Sequence, residues 1–102
     1  MELKRVVVTG LGAVTPVGNS PEETWQNLVA GKSGAAPITQ FDTTNFKTKF
    51  ACEVKNLNVC DYLDRKEVRK MDRYTQLAMI SAIQGVKDSG LDLETVDKSR
   101  IG

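Results

Sequence analysis

Five basic side chains fall within nine residues, Arg65, Lys66, Arg69, Lys70 and Arg73, with only Glu67 and Asp72 of opposite sign among them. A helix face kept for solubility mixes its signs. Here the positives gather on one side of a helical projection. Only two pairs have the spacing to neutralise each other, Arg69 with Asp72 and Lys70 with Glu67. The pattern suits a docking surface for an acidic partner; its plainer alternative is a solvated helix face.

The two thiols, Cys52 and Cys60, are the remaining candidate nucleophiles. A thiol reacts as thiolate, which needs a basic or positively charged neighbour. Cys52 lies in an alternating apolar stretch and Cys60 in a segment leading to the next helix, so both read as structural. The chain contains no histidine, which removes the usual imidazole base or oxyanion donor of acyl chemistry at neutral pH. It also argues against zinc, since four ligands are wanted and no C-x-x-C pair is present. A bridge between the cysteines is disfavoured in a chain whose start offers three valines where a secretory signal needs a longer apolar stretch.

Thr9-Gly10-Leu11-Gly12 after an apolar run invites a dinucleotide-binding reading. The spacing fails, because Thr15 stands where the third glycine belongs. Pro16 and Gly18 then delay the next helix to Ser20. Glycines that shape a turn and permit close packing explain the same residues.

The elements that must position these groups can be read in order. Val6-Val7-Val8, within Lys4 to Thr9, predicts a strand buried on both faces in a mostly parallel sheet. Ser20, Pro21 and Glu23 form a helix start, Trp25, Leu28 and Val29 an apolar stripe, and Gly31 a stop. Strand, glycine turn and capped helix together open a βα unit. Lys32 to Asn58 reads as loop, except that Phe50, Cys52 and Val54 alternate with Ala51, Glu53 and Lys55 as in a short half-buried strand. One long helix should follow, capped by Asp64 with Glu67 and stopped by Gly90. Val68, Met71, Thr75, Ala78, Ala82 and Val86 share one arc of it, opposite the basic residues. Leu77 to Ile80, with Ala82 and Ile83, is apolar nearly all round, so that half should be buried. Arg100-Ile101-Gly102 reads as the approach to another strand. A parallel sheet needs covered faces and a completed crossover, so residues 1–102 read as the cut N-terminal segment of an α/β protein.

Length, a charged fraction of 26%, a hydrophobic fraction of 40% and a net charge of +1 are ordinary for a globular chain. Bulk attraction to nucleic acid or membrane is not indicated. No apolar run reaches the length of a membrane span, and a cytoplasmic location is the expectation.

Val6 through Asn19 resembles the opening of β-ketoacyl-[acyl-carrier-protein] synthases, and Leu28 through Gly34 and Phe41-Asp42 continue the likeness. Thr48 to Ala51 and Asp64 to Tyr74 look most like the type II elongation enzyme. Asp88 to Leu91 and Arg100 to Gly102 keep the register. The resemblance implies a thiolase-like fold of layered αβαβα type, incomplete in this chain. It implies a homodimer several-fold longer than 102 residues, with no cofactor or metal. It also implies acyl transfer to a cysteine, decarboxylation of malonyl-carrier-protein and condensation, with two histidines stabilising developing oxyanions. That cysteine and both histidines are expected beyond Gly102, and neither Cys52 nor Cys60 matches the cysteine motif, so no catalytic residue is assigned. What carries over is partner binding: Lys66, Arg69 and Lys70, joined by Arg65 and Arg73, would meet the acidic face of acyl carrier protein. The alternatives are a polyketide-type ketosynthase and a free-standing basic interaction module.

Overall fold

Helix α1 spans Pro21–Val29, and both of its ends follow from local chemistry. The Ser20 hydroxyl accepts the Glu23 amide at 3.2 Å, with Pro21 in the first turn. The Glu23 carboxylate reaches one residue further back than a standard capping box and accepts the Asn19 amide at 3.3 Å. Gly31 adopts φ 71°, the left-handed conformation that suits glycine. Its amide donates to the Leu28 carbonyl at 3.1 Å while the Lys32 amide donates to Asn27 at 2.9 Å, the paired bonds of a Schellman stop. The expected stripe does not bury anything, however: Trp25, Leu28 and Val29 are all exposed, Trp25 at 67%.

The computed structural model describes residues 2–102. After α1 come strand β1 (Ala35–Pro37), strand β2 (Phe50–Cys52), a 3-10 turn at Val59–Asp61, helix α2 (Arg65–Val68), helix α3 (Arg73–Ser89) and a second 3-10 turn at Lys98–Arg100. The expected strand at Lys4 to Thr9 is absent among the described residues. A strand exists through the neighbour that takes its amides and carbonyls, and nothing pairs with this segment; Val6 is 88% exposed. The sheet that does form is a two-stranded antiparallel ribbon, pairing Ala35 with Cys52, Ala36 with Ala51 and Pro37 with Phe50. β1 was not anticipated, since Gly34 and Pro37 read as loop. β2 was, but with inverted faces: Ala51 is half-buried while Phe50 and Cys52 are exposed. The covered face of the ribbon is that of the small pair, Ala36 and Ala51.

Polar side chains tie this arm to the turn at residues 15–18. The Lys55 ammonium donates to the carbonyls of Pro16, Gly34 and Glu53 at 3.2, 2.8 and 2.9 Å. The Asn19 amide group donates to the carbonyls of Lys55 and Asn56. The Glu53 carboxylate accepts from the Thr39 hydroxyl at 2.8 Å and from the backbone amides of Thr39 and Gln40. These donors, the Thr39 hydroxyl first, hold the Glu53 carboxyl below its ordinary range. A group with a depressed folded-state pKa stabilises above its unfolded value, and that contribution is lost as pH falls through the lowered value. The Thr39 and Gln40 amides should therefore lose protection from hydrogen exchange in acid, corrected for intrinsic rates. A Thr39→Val variant should lose it at higher pH than the wild type. Identical profiles would contradict the anchoring role of Glu53.

The single long helix expected from Asp64 to Ser89 is two helices. After α2 the Lys70 and Met71 amides turn back to the carbonyls of Glu67 and Val68, three residues behind, at 3.0 and 3.2 Å. Asp72 is then extended, with φ −68° and ψ 160°, and α3 restarts from it. Aspartate favours such positions over helix interiors, although its carboxylate makes no capping bond here. Gly90 stops α3 at φ 68°, as expected. The break resets the helical phase. Ala78, Ala82 and Val86 are exposed, and the covered side centres on Ile80, fully buried, with Gln76, Leu77, Ser81, Ile83 and Gln84 around it.

Val59 and Ile80 are the buried apolar residues among those described. The accessible surface is 8514 Å², against about 5,700 Å² for a compact monomer of this mass. The radius of gyration is 17.5 Å, against about 13 Å. Exposed apolar surface on this scale drives association. The isolated 102-residue polypeptide is expected to self-associate in light scattering; a monodisperse monomer with one cooperative melt would contradict that.

Candidate functional site

Helix α2 is a single turn that carries Arg65 and Lys66, with Arg69 as its C-cap and Lys70 in the turn that follows. The Asp64 carboxylate caps it weakly, accepting the Lys66 amide at 3.4 Å. Arg65, Lys66, Arg69 and Lys70 are exposed, while Val68 and Met71 are half-buried on the other side. Lys70 and Glu67 approach to 3.9 Å, both well exposed, so the pair adds little. It is the single ion pair within 4.0 Å among the described residues, which leaves the anticipated Arg69–Asp72 pair unformed. The face therefore keeps most of its positive charge. Arg73 lies beyond the break, so the five residues do not share one helical arc. It lines a shallow hollow of about 240 Å³ with Gln40, Cys52, Glu53, Val54 and Leu77.

The glycine turn sits on α3. A Cβ on Gly10 would collide with the Gly85 carbonyl oxygen, and one on Gly12 with that of Ser81. The backbone is pinned there by side chains that sequence reasoning missed. Asp88 Oδ2 accepts the Leu11 amide at 2.9 Å. Gln84 Oε1 accepts the Ala13 amide at 2.9 Å, and its Nε2 donates to the Asn19 carbonyl at 2.7 Å. A dinucleotide would need such backbone amides for its pyrophosphate; two of them are already taken. The glycines serve close packing, and the small residues Ser81, Gly85 and Ser89, four apart on α3, were the available signal for it.

Neither thiol is part of a reactive constellation. Cys52 and Cys60 are free and exposed. No group of three or more acidic, cysteine or histidine side chains among the described residues could hold a metal. A hollow of about 680 Å³ is open and lined by Leu11, Tyr62 and Ile83 together with both acidic and basic groups. Nothing in it can act as an acyl nucleophile of the expected kind. The chemistry available on this surface is electrostatic attraction at α2.

Residues 3–102 match the family described as beta-ketoacyl synthase, N-terminal domain. The chain belongs to the β-ketoacyl synthase family. The 3-oxoacyl-[acyl-carrier-protein] synthase 2 of Coxiella burnetii is 48% identical over 102 residues, all of this chain and 25% of that protein. The protein of that name from Vibrio cholerae is 46% identical with the same coverage. That from Staphylococcus aureus strain COL is 46% identical over 99 residues, 97% of this chain and 24% of that one. Among solved structures, the ishigamide ketosynthase/chain length factor superposes with a TM-score of 0.80 at 37% identity, over 88% of this chain and 22% of the other. The chain thus spans about a quarter of the length of these synthases. Its fold is the N-terminal part of the thiolase-like ketosynthase architecture, as the resemblance implied.

Proposed function

We propose that this chain is the N-terminal segment of a 3-oxoacyl-[acyl-carrier-protein] synthase of fatty acid elongation. Such an enzyme condenses an acyl group held on its own cysteine with the carbanion formed by decarboxylating malonyl-carrier-protein. The observation that carries the proposal is identity of 45–48% across nearly the whole chain to synthases of that name. Within the homodimeric, cytoplasmic enzyme, residues 1–102 would supply scaffold and part of the carrier-protein dock, and the nucleophile and two histidines would come from elsewhere. Exposure of Arg65, Lys66, Arg69 and Lys70, with little internal pairing, supports that docking role.

The full-length protein, incubated with acyl- and malonyl-carrier-protein, should give 3-oxoacyl product. The 102-residue polypeptide alone should give none, because it has no imidazole. Turnover by the short polypeptide, or none by the full-length protein, would contradict the proposal. Its coding sequence should continue past codon 102 into a cysteine motif and two histidine motifs; a stop codon there would favour a basic interaction module.

A further inference from the structure

A four-residue helix does not hold itself together: nucleation costs more than one turn of bonds returns. Arg69, its C-cap, and Lys70, in the turn beyond, nevertheless hold defined positions, so something outside the helix must fix its C-terminal end. The side chain that does so is Gln76, one turn into α3. Its Nε2 donates to the Val68 carbonyl at 3.3 Å and to the Met71 carbonyl at 3.2 Å. Those carbonyls bracket Arg69 and Lys70 in the chain. Only the amide nitrogen can serve both, since its oxygen would face two acceptors. Gln76 is itself anchored at the start of α3, its own amide donating to the Asp72 carbonyl at 3.0 Å. The side chain is half-buried. Asp72, the residue that could have stitched the break, makes no side-chain capping bond.

We infer that Gln76 is a positioning residue for the basic dock: its amide clamps the α2–α3 break and so fixes where Arg69 and Lys70 point. The inference rests on the carrier-protein reading of α2. Without the clamp the Val68 carbonyl keeps only the Met71 amide, the Met71 carbonyl turns to water, and the end of α2 frays. The four charges remain but spread over more orientations, which weakens docking without touching the chemistry of condensation.

The test uses the full-length enzyme with carrier-protein substrates. Gln76→Met keeps the length of the side chain and removes both donors; Gln76→Asn keeps the amide but withdraws it by one carbon. Loss of one or two ordinary hydrogen bonds corresponds to a rise of about two- to tenfold in the KM for acyl-carrier-protein. The expected order is Met above Asn above wild type, with kcat unchanged, the pattern of lost uniform binding. Lys66→Glu/Arg69→Glu/Lys70→Glu is run alongside. Adding Gln76→Met to that background should change KM little further, because the two positive charges that the clamp orients, Arg69 and Lys70, are already gone.

If the triple variant raises KM and neither Gln76 variant does, the clamp is overturned and the docking reading stands. If the triple variant has no effect, both fall. A fall in kcat with KM unchanged would assign Gln76 a general structural role and overturn the inference. Should Gln76→Met not fold, Gln76→Asn decides alone: a raised KM at wild-type kcat supports the clamp, and an unchanged KM overturns it.

Discussion

Gly12→Ala is expected to destabilise the full-length protein by about 1–3 kcal/mol, the usual cost of overpacking, and Gly85→Ala to leave it unchanged or slightly firmer. The two glycines face each other across the same crossing, so the contrast isolates geometry from composition. A Cβ on Gly12 would meet the Ser81 carbonyl oxygen, with the Gly85 backbone nitrogen only 2.8 Å away. These are helix backbone atoms and cannot swing aside. Relief would require lifting the chain off α3, which would strain the bonds from the Leu11 and Ala13 amides to Asp88 and Gln84. A Cβ on Gly85 would instead sit 3.6 Å from the Gly12 nitrogen, an ordinary contact. Alanine there also gains about 0.5–1 kcal/mol of helix preference over glycine. Matched melts of the two variants would show that the close crossing does not matter. Destabilisation by Gly85→Ala alone would reverse the geometry described here.

What the sequence made legible was local. Ser20, Pro21 and Glu23 announced the start of α1, and Gly31 and Gly90 the stops of α1 and α3, because caps are decided by side chains within a few residues. The exposure of Arg65, Lys66, Arg69 and Lys70 was legible for the same reason. Most of the errors concern partners further along the chain than a local pattern reaches. Val6 to Val8 has strand composition, but pairing depends on a neighbour that composition does not name. The faces of β2 inverted because register against Ala35 to Pro37 decides which side is covered. The break at Lys70-Met71 hinged on Asp72 and on a side chain, Gln76, reaching back five and eight residues. Once the phase was reset, the covered side of α3 moved from Ala78 and Ala82 to Ile80. Gln84 and Asp88 were missed as anchors because their bonds span 71 and 77 residues.

The central claim is that the basic turn α2 meets an acidic carrier protein. Lys66→Glu, Arg69→Glu and Lys70→Glu together reverse three exposed charges on a face where Glu67 offsets little. Single exposed charges have small effects, so the triple change is the fair test. Attraction of this kind weakens with salt, since screening shortens to about 8 Å at physiological ionic strength. Val68 and Met71 point inward instead, and replacing them should cost folding rather than docking. The deciding measurement is the KM of the full-length triple variant for acyl-carrier-protein at low salt, beside its rate with a short acyl thioester that carries no carrier protein. The KM is expected to rise by about tenfold or more and the difference from wild type to shrink as salt is added, with the carrier-free rate unchanged. An unchanged KM at low salt would mean that the face is merely solvated and that the carrier protein docks elsewhere.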